Sequence, residues 1–449
     1  MSGDLGAIFK AYDIRGVYPE DLDEEAARRI GWAFARFLGD APGVVIGRDM
    51  RTSSPSLAAA FTEGVLAAGT DVTDLGEVST DALYFASGRL EAPGAMFTAS
   101  HNPARYNGIK LCRALAAPIG GDSGLSEIRD LAASVDRVGG AAERGSRKEV
   151  DTLSEYAVHC RSFVDRELLR PLRVAIDAGN GMAGKTVPIV FDELPFDVVP
   201  LFFELDGTFP NHPANPIEAE NVKDLQRAVV EQGCDLGIAF DGDADRIFLI
   251  DEKGGPVSGS TTTALVAERL LKKNPGETIL YNLICSWAVP EIVKENGGVP
   301  VRTRVGHSFI KETMAETGAI FGGEHSGHYY FRDNFRADSG MIAALLVLET
   351  LSISGRPLTE VLSSFERYSA SGEINSEVTD QQATVEELAR RYSDARQDRV
   401  DGLTVEYDDW WFNCRASNTE PLLRLNLEAR APGLMEEKRD EVLNIIRGS

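Results

Sequence analysis

LGIAFDGDADRIFLID, residues 236–251, is two apolar runs around an acidic loop. Leu236–Phe240 reads as a buried strand, and the apolar run after the loop as a second one. Between them Asp241, Asp243 and Asp245 stand at alternate positions, separated by Gly242 and Ala244. Alternate residues of an extended chain lie about 6–7 Å apart on one face. A tight loop through Gly242 and Ala244 can turn all three carboxylates to one centre. Hard oxygen ligands in that arrangement suit Mg²⁺. An EF-hand does not fit, because an apolar strand occupies the place where the rest of a calcium loop would run. The competing reading is a solvated acidic turn, and the two flanking strands weigh against it.

Working outward, strand-like and helix-like segments alternate. Upstream lie Val44–Ile46 (strand), Pro55–Ala68 (helix), Ala95–Phe97 (strand), Arg173–Ile176 (strand), Phe196–Leu201 (strand) and a helix near Asp224–Gln232. Downstream come a helix near Thr261–Lys272, strands at Thr278–Leu283 and Val301–Arg304, a helix from His307 to Glu316, and a strand at His328–Phe331. Alternation of this kind predicts α/β layers. The tail differs: strands at Glu373–Val378, Leu403–Tyr407, Trp410–Cys414 and Leu422–Glu428 are interrupted by a helix at Val385–Ser393 and closed by another at Leu434–Arg447. Strand runs with occasional helices suggest a small α+β unit. Turn-rich stretches place the boundaries at 1–150, 151–254, 255–368 and 369–449. No residue-level repeat relates the α/β rounds.

Three further loops concentrate chemistry. TASHNPARYNGIK, Thr98–Lys110, follows a buried strand and offers Ser100 as a nucleophile, His101 as an imidazole and Lys110 as a cation. A serine hydroxyl is a weak nucleophile unless it is activated or already carries phosphate. GGEHSGHYYF, Gly322–Phe331, sets Glu324, Ser326 and His328 at alternate positions before an aromatic strand. Such a loop can read sugar hydroxyls, and a carboxylate such as Glu324 accepts from two at once. RASNTEPLLR, Arg415–Arg424, supplies Arg415, Ser417, Asn418, Thr419 and Arg424 between two strands, a suitable phosphate cradle. Each of these three, alone, is equally an ordinary polar turn or strand end.

Smaller signals complete the inventory. Arg15, in FKAYDIRG, is a candidate cation for a reacting phosphate, and Arg246 closes the acidic loop. Arg48 and Arg51 read as structural ion-pair partners. AGNGMAG, Ala178–Gly184, lacks the order of a P-loop and reads as a strand–helix turn. Trp410 and Trp411 read as core or interdomain packing.

Composition bounds the rest. With 449 residues, 43% of them hydrophobic, the chain can fill several cores of about 100–150 residues each. A net charge of −24 repels phosphate backbones and anionic membranes, so neither nucleic acid nor membrane is an expected partner. The five cysteines are scattered and in no CxxC pair, as buried reduced thiols would be. The N-terminus has no signal-like pattern, and the longest apolar stretch, Met341–Leu348, is far short of the roughly 20 residues of a membrane span. A cytoplasmic location is expected.

In this order and spacing the four loops resemble those of the α-D-phosphohexomutase family, over nearly the whole chain. TASHNP looks like its phosphoserine loop, DGDADR its metal loop, GEHSGH its sugar loop and RASNTEP its phosphate loop. The resemblance implies three similar α/β domains with mixed sheets and a smaller C-terminal α+β domain around a central cleft. GEHSGHYYF and SNTEPLLRLN look like the phosphomannomutase/phosphoglucomutase branch. That branch interconverts hexose 6-phosphate and hexose 1-phosphate, mannose or glucose, through a hexose 1,6-bisphosphate.

The roles implied follow residue by residue. Ser100 carries the phosphoryl group, and Mg²⁺ sits among Asp241, Asp243, Asp245 and the phosphoserine. Glucose 1,6-bisphosphate or an equivalent hexose bisphosphate acts as activator. His101, Lys110 and His328 are the candidates for general acid/base, with Arg15 and Arg246 as supporting cations. Two departures stand out. Ala244 replaces a glycine frequent in the metal loop, and Ile284 and Trp287 lie where some relatives carry a lysine near the sugar. Arg304 and His307 remain as polar candidates there. Hexose phosphates are the expected partners, and the chain is expected as monomer or homodimer. The alternatives are a phosphoglucosamine mutase, a metal-dependent phosphatase, and a non-catalytic sugar-phosphate-binding protein.

Overall fold

The buried apolar runs become strands, and the strands form four sheets. The computed structural model describes residues 5–135, 138–139, 141, 143–416 and 422–448, apart from the side chains of Asp122 and His307. The first sheet orders Ile14–Val17, Tyr106–Cys112, Gly94–Phe97, Val44–Arg48, Val72–Glu77 and Arg147–Glu149. The second orders Pro256–Val257, Ile247–Asp251, Leu236–Phe240, Leu172–Asp177 and Phe196–Leu201. The third orders Val299–Thr303, Thr278–Asn282, Phe321–Gly323 and Tyr329–Phe331. Each of these mixes parallel and antiparallel pairs. Parallel neighbours need a crossover, and helices supply it, as Ser54–Ala67 does between Val44–Arg48 and Val72–Glu77. The fourth sheet, Ser369–Glu377, Leu422–Ala429, Trp410–Ala416, Leu403–Glu406 and Arg396–Asp398, is antiparallel throughout. Three α/β units and one α+β unit are thus the architecture.

Some elements go beyond the alternation read from the sequence. Helix Glu24–Leu38 is not announced by it, yet its start is locally encoded. The Asp23 side chain accepts from Ala26 N at 2.8 Å, and Glu24 and Glu25 occupy the first turn. Its inner face, including Ala27, Ile30 and Phe34, joins the core of the first unit with Phe61. The longest apolar stretch, Met341–Leu348, lies wholly buried in helix Gly340–Ser354, which is why it is apolar on every side. Among the described residues no helix is long and apolar enough to cross a membrane. All five cysteines are buried free thiols.

Candidate active site

The four chemistry-bearing loops share one structural origin: each joins an antiparallel strand pair. Residues 98–105 join Gly94–Phe97 to Tyr106–Cys112, and 241–246 join Leu236–Phe240 to Ile247–Asp251. Residues 324–328 join Phe321–Gly323 to Tyr329–Phe331, and 417–421 join Trp410–Ala416 to Leu422–Ala429. For the first three loops, the hydrogen-bonded ladder of the flanking strands fixes where the loop starts and ends, as a reacting site requires.

The first two loops meet. Ser100 Oγ donates to Asp241 Oδ2 at 2.7 Å, and Arg246 Nη2 donates to Ser100 Oγ at 3.0 Å. A Cβ at Gly242 would stand 2.5 Å from the Ser100 carbonyl oxygen, so the approach needs glycine there. Ser100 is 5% exposed and holds a φ of 50°, in the left-handed region that non-glycine residues seldom occupy. Backbone strain of this kind gathers at functional positions.

Asp241, Asp243 and Asp245 are all buried and present oxygens within 4.8 Å of one another. Asp243 Oδ1 and Asp245 Oδ1 have no hydrogen-bond partner among the described residues. Buried carboxylate oxygens left without a partner are strongly unfavourable, so this all-oxygen set fits a hard divalent cation. Burial, reinforced by the neighbouring Asp245 and Asp243, pushes Asp241 up despite the Arg246 guanidinium 2.8 Å away. Asp243 goes the other way: burial opposes its charge, but the Lys110 ammonium, the Thr80 hydroxyl and the Arg246 guanidinium together outweigh burial and hold it well below the usual range.

Lys110 Nζ donates to Asp243 Oδ2 at 2.7 Å and to Asp245 Oδ2 at 2.6 Å. Burial disfavours its charge, yet those two carboxylates push its pKa well above normal. Lys110 is therefore a cation seated between two carboxylates. His101 Nδ1 contacts Arg246 and lies 3.2 Å from Ser100 Oγ. Burial, then Arg246 and Arg15, hold its ring well below the usual imidazole value. Arg15 Nη1 donates to Asn102 Oδ1 at 2.6 Å and its other amine pairs with Asp13, so it braces the serine loop.

The third loop faces the acidic one. His328 Nε2 lies 3.9 Å from Asp245 Oδ1, and its Nδ1 lies 3.1 Å from Ser326 Oγ. Glu324 is not the free twin acceptor its sequence position suggests. Its Oε1 accepts from Asn282 Nδ2 at 3.2 Å and Gly306 N at 3.1 Å, and its Oε2 accepts from Tyr330 OH at 2.8 Å. Little acceptor capacity remains for a ligand. His307 opens helix His307–Thr317, next to Gly306, and its side chain lies outside the described residues. Arg304 covers the Phe309 ring at 4.2 Å.

At the fourth loop, Ser417, Asn418 and Thr419 lie outside the described residues. Arg415 and Arg424 are cross-strand partners, and both reach one carboxylate that the sequence reading omitted. Glu373 Oε2 accepts from Arg415 Nη2 at 2.9 Å, and its Oε1 accepts from Arg424 Nη1 at 3.2 Å. Thr80 is a second omission, because its hydroxyl donates to Asp243 Oδ2 at 2.6 Å from another unit of the chain. Its local signal is only a helix start: Ser79 caps Thr80–Arg89. Arg48 and Arg51 do make the ion pairs expected of them, at 3.5 Å to Asp74 and 3.2 Å to Asp49. Trp411 packs across the seam of the third and fourth units, 6.5 Å from Trp287 ring to ring.

Comparison with known proteins adds an independent line. Four family models match in series, described as phosphoglucomutase/phosphomannomutase alpha/beta/alpha domain I (6–138), domain II (151–255), domain III (258–368) and C-terminal domain (373–445). "Phosphohexose mutases" of Xanthomonas campestris pv. campestris (strain B100) is 43% identical over 445 residues, covering 98% of this chain and 99% of the relative. An Escherichia coli "Phosphomannomutase" is 42% identical over 456 residues, covering 98% and 99%. A crystal structure of a phosphoglucomutase/phosphomannomutase family protein from Burkholderia thailandensis superposes with a TM-score of 0.90 at 33% identity, covering 99% of this chain and 98% of that one.

Proposed function

The chain belongs to the phosphoglucomutase/phosphomannomutase family and is a phosphohexose mutase, and from that premise we propose that Ser100 is its phosphoryl carrier and mannose phosphates its first substrates. The observation that carries the assignment is the 2.7 Å contact of Ser100 Oγ with Asp241 Oδ2. It sets a strained, nearly buried hydroxyl against a cluster of three carboxylates suited to a cation. The family description, which pairs phosphoglucomutase with phosphomannomutase, supports glucose phosphates as a second pair.

In this reading Ser100 rests as its phosphate ester. The hydroxyl of a hexose phosphate attacks phosphorus, the bond to Ser100 Oγ breaks, and a hexose 1,6-bisphosphate forms. That intermediate turns over and returns its other phosphoryl group to Ser100. A hexose bisphosphate such as glucose 1,6-bisphosphate serves as activator, because it re-esterifies a serine that has lost its phosphate. Asp241, Asp243 and Asp245 hold Mg²⁺, which supplies charge neutralisation at the phosphoryl group. Arg246 donates to the serine oxygen as charge returns to it, and Lys110 fixes the carboxylates. Of the three acid/base candidates His328 is the proton carrier, since Lys110 Nζ is engaged by Asp243 and Asp245 and His101 is turned to Arg246. Arg415 and Arg424 grip the phosphate that is not reacting, and Ser326 with the one acceptor position left on Glu324 reads the sugar; Ser417, Asn418, Thr419 and His307 are assigned to the same two tasks on the family resemblance alone. A protein acting on such metabolites works in the cytoplasm.

The test is turnover of mannose 1-phosphate and glucose 1-phosphate with Mg²⁺ and catalytic glucose 1,6-bisphosphate, wild type against Ser100→Ala. Formation of the 6-phosphates by wild type, lost in the variant by a factor of about 10³ or more, supports the reading. Equal rates in the two proteins would overturn it.

A further inference from the structure

Arg51 sits in the turn between strand Val44–Arg48 and helix Ser54–Ala67, and it is 0% exposed. Its ion pair with Asp49 uses only part of the guanidinium. Nη2 donates to the carbonyl oxygens of Ser100 at 2.9 Å and Asn102 at 2.6 Å. Nη1 donates to those of Pro103 at 2.9 Å and Tyr106 at 3.0 Å. One planar fork thus gathers three carbonyls of the loop that carries the nucleophile and a fourth, Tyr106, at the start of the strand that follows. From the second unit, the Phe209 ring lies 5.1 Å from the guanidinium carbon and closes over it.

The arrangement answers a problem set by Ser100. Its backbone occupies the left-handed region, which a serine does not favour. The loop around it therefore needs an outside constraint to keep Oγ against Asp241. A planar five-donor group can span four acceptors in fixed directions, and a lysine ammonium, three donors on one point, cannot.

We propose that Arg51 is a positioning residue of the mutase reaction: by clamping the Ser100–Tyr106 backbone it keeps the phosphoryl group in transfer between Ser100 and sugar, and out of reach of water. The proposal rests on Ser100 as the phosphoryl carrier. The competing reaction is hydrolysis: water attacks phosphorus, the bond to Oγ breaks with a proton returning to the serine, and inorganic phosphate leaves. A loosened loop raises the share of turnovers that end this way. Each such event leaves a serine that only hexose bisphosphate can re-esterify.

The experiment compares wild type, Arg51→Lys and Phe209→Leu, all with Mg²⁺. Four quantities are read: kcat, KM for mannose 1-phosphate, inorganic phosphate released per isomerisation, and decay of the Ser100 phosphate by intact-protein mass after loading with glucose 1,6-bisphosphate. Arg51→Lys keeps the charge beside Asp49 and loses the fork. The expected result is kcat down about tenfold or more with KM changed less than about threefold, and phosphate release per turnover up about tenfold. Phe209→Leu shifts release in the same direction by a smaller factor. A purely structural role lowers the active fraction and leaves phosphate release per turnover unchanged, and that result in Arg51→Lys overturns the proposal. If Arg51→Lys does not fold, wild-type partitioning in Phe209→Leu overturns it. A wild-type protein that takes up no phosphate on Ser100 while remaining active would instead refute the assignment of the carrier.

Discussion

Thr80 Oγ1 donates to Asp243 Oδ2 at 2.6 Å, joining residues 163 positions apart. Thr80 N also donates to the Asp243 carbonyl at 3.0 Å. The first residue of a helix in one unit thereby orients a carboxylate in the next, and it leaves Asp243 Oδ1 turned inward without a partner among the described residues. Groups that orient metal ligands in this way typically change affinity 10- to 100-fold, roughly, when removed. Thr80→Ala is expected to weaken Mg²⁺ or Mn²⁺ binding about tenfold by calorimetric titration, and Thr80→Ser to restore it. Unchanged affinity in Thr80→Ala would show that Asp243 needs no such support.

Lys110 stands between Asp243 and Asp245, and its removal leaves two buried carboxylates facing each other. Breaking a buried pair from one side is destabilising by about 3–5 kcal/mol. Lys110→Met should therefore unfold at clearly lower temperature in EDTA, and added Mg²⁺ should recover much of the difference by neutralising the same oxygens. Equal melting in EDTA for both proteins would contradict the geometry. Loss of activity in Lys110→Met even when it is fully folded and loaded with metal is also expected, since the fixed cation is then missing from the site.

Much of this was legible in the sequence because the signals are local. The strand–loop–strand pattern of residues 236–251 announces a hairpin with three carboxylates, and that is what forms. Ser100, Arg246 and His328 were each visible as residue types in polar loops. Their convergence was not, because Ser100 and Asp241 are 141 positions apart and only the packing of two units brings them together. Thr80, Arg51 and Glu373 show the limit more sharply. Thr80 is a helix start, Arg51 an ion-pair partner and Glu373 a strand residue, and locally none signals more than that. What each does for the site is decided by acceptors that the chain supplies elsewhere. Glu324 shows the reverse: an acid read in the sequence as an acceptor for two sugar hydroxyls is largely taken up by Asn282, Gly306 and Tyr330 once folded.

Ala244 takes a φ of 61° between two of the acidic residues. Left-handed backbone is disfavoured for alanine by about 1 kcal/mol relative to glycine. Ala244→Gly should consequently leave the melting temperature unchanged or raise it slightly, although glycine usually weakens a buried position. Activity should be retained, because no side-chain contact of the site is removed. A destabilisation of more than about 1 kcal/mol would show that the methyl group packs favourably enough to outweigh the backbone term.

Asp81 ties three units together: it accepts from Ser79 Oγ at 2.5 Å, from Tyr156 OH at 2.6 Å and from Ser339 Oγ at 2.6 Å. Despite these donors, burial pushes its pKa up from 3.8 to about 6. The folded protein thus holds a proton on Asp81 at pH values where the unfolded chain has released it. Stability from this group is fully present below about pH 4 and is lost as pH rises through about 6, after which it stays level. The interval corresponds to about 3 kcal/mol at most. Asp81→Asn cannot titrate, so the stability difference, wild type minus variant, should fall by up to that amount between about pH 4 and pH 7. Denaturant unfolding of both proteins at several pH values measures it, and taking the difference cancels the other carboxylates. A difference that rises with pH would mean that the three hydroxyls favour the charged carboxylate more than burial disfavours it, and that the knot between the units is strongest when Asp81 is ionised.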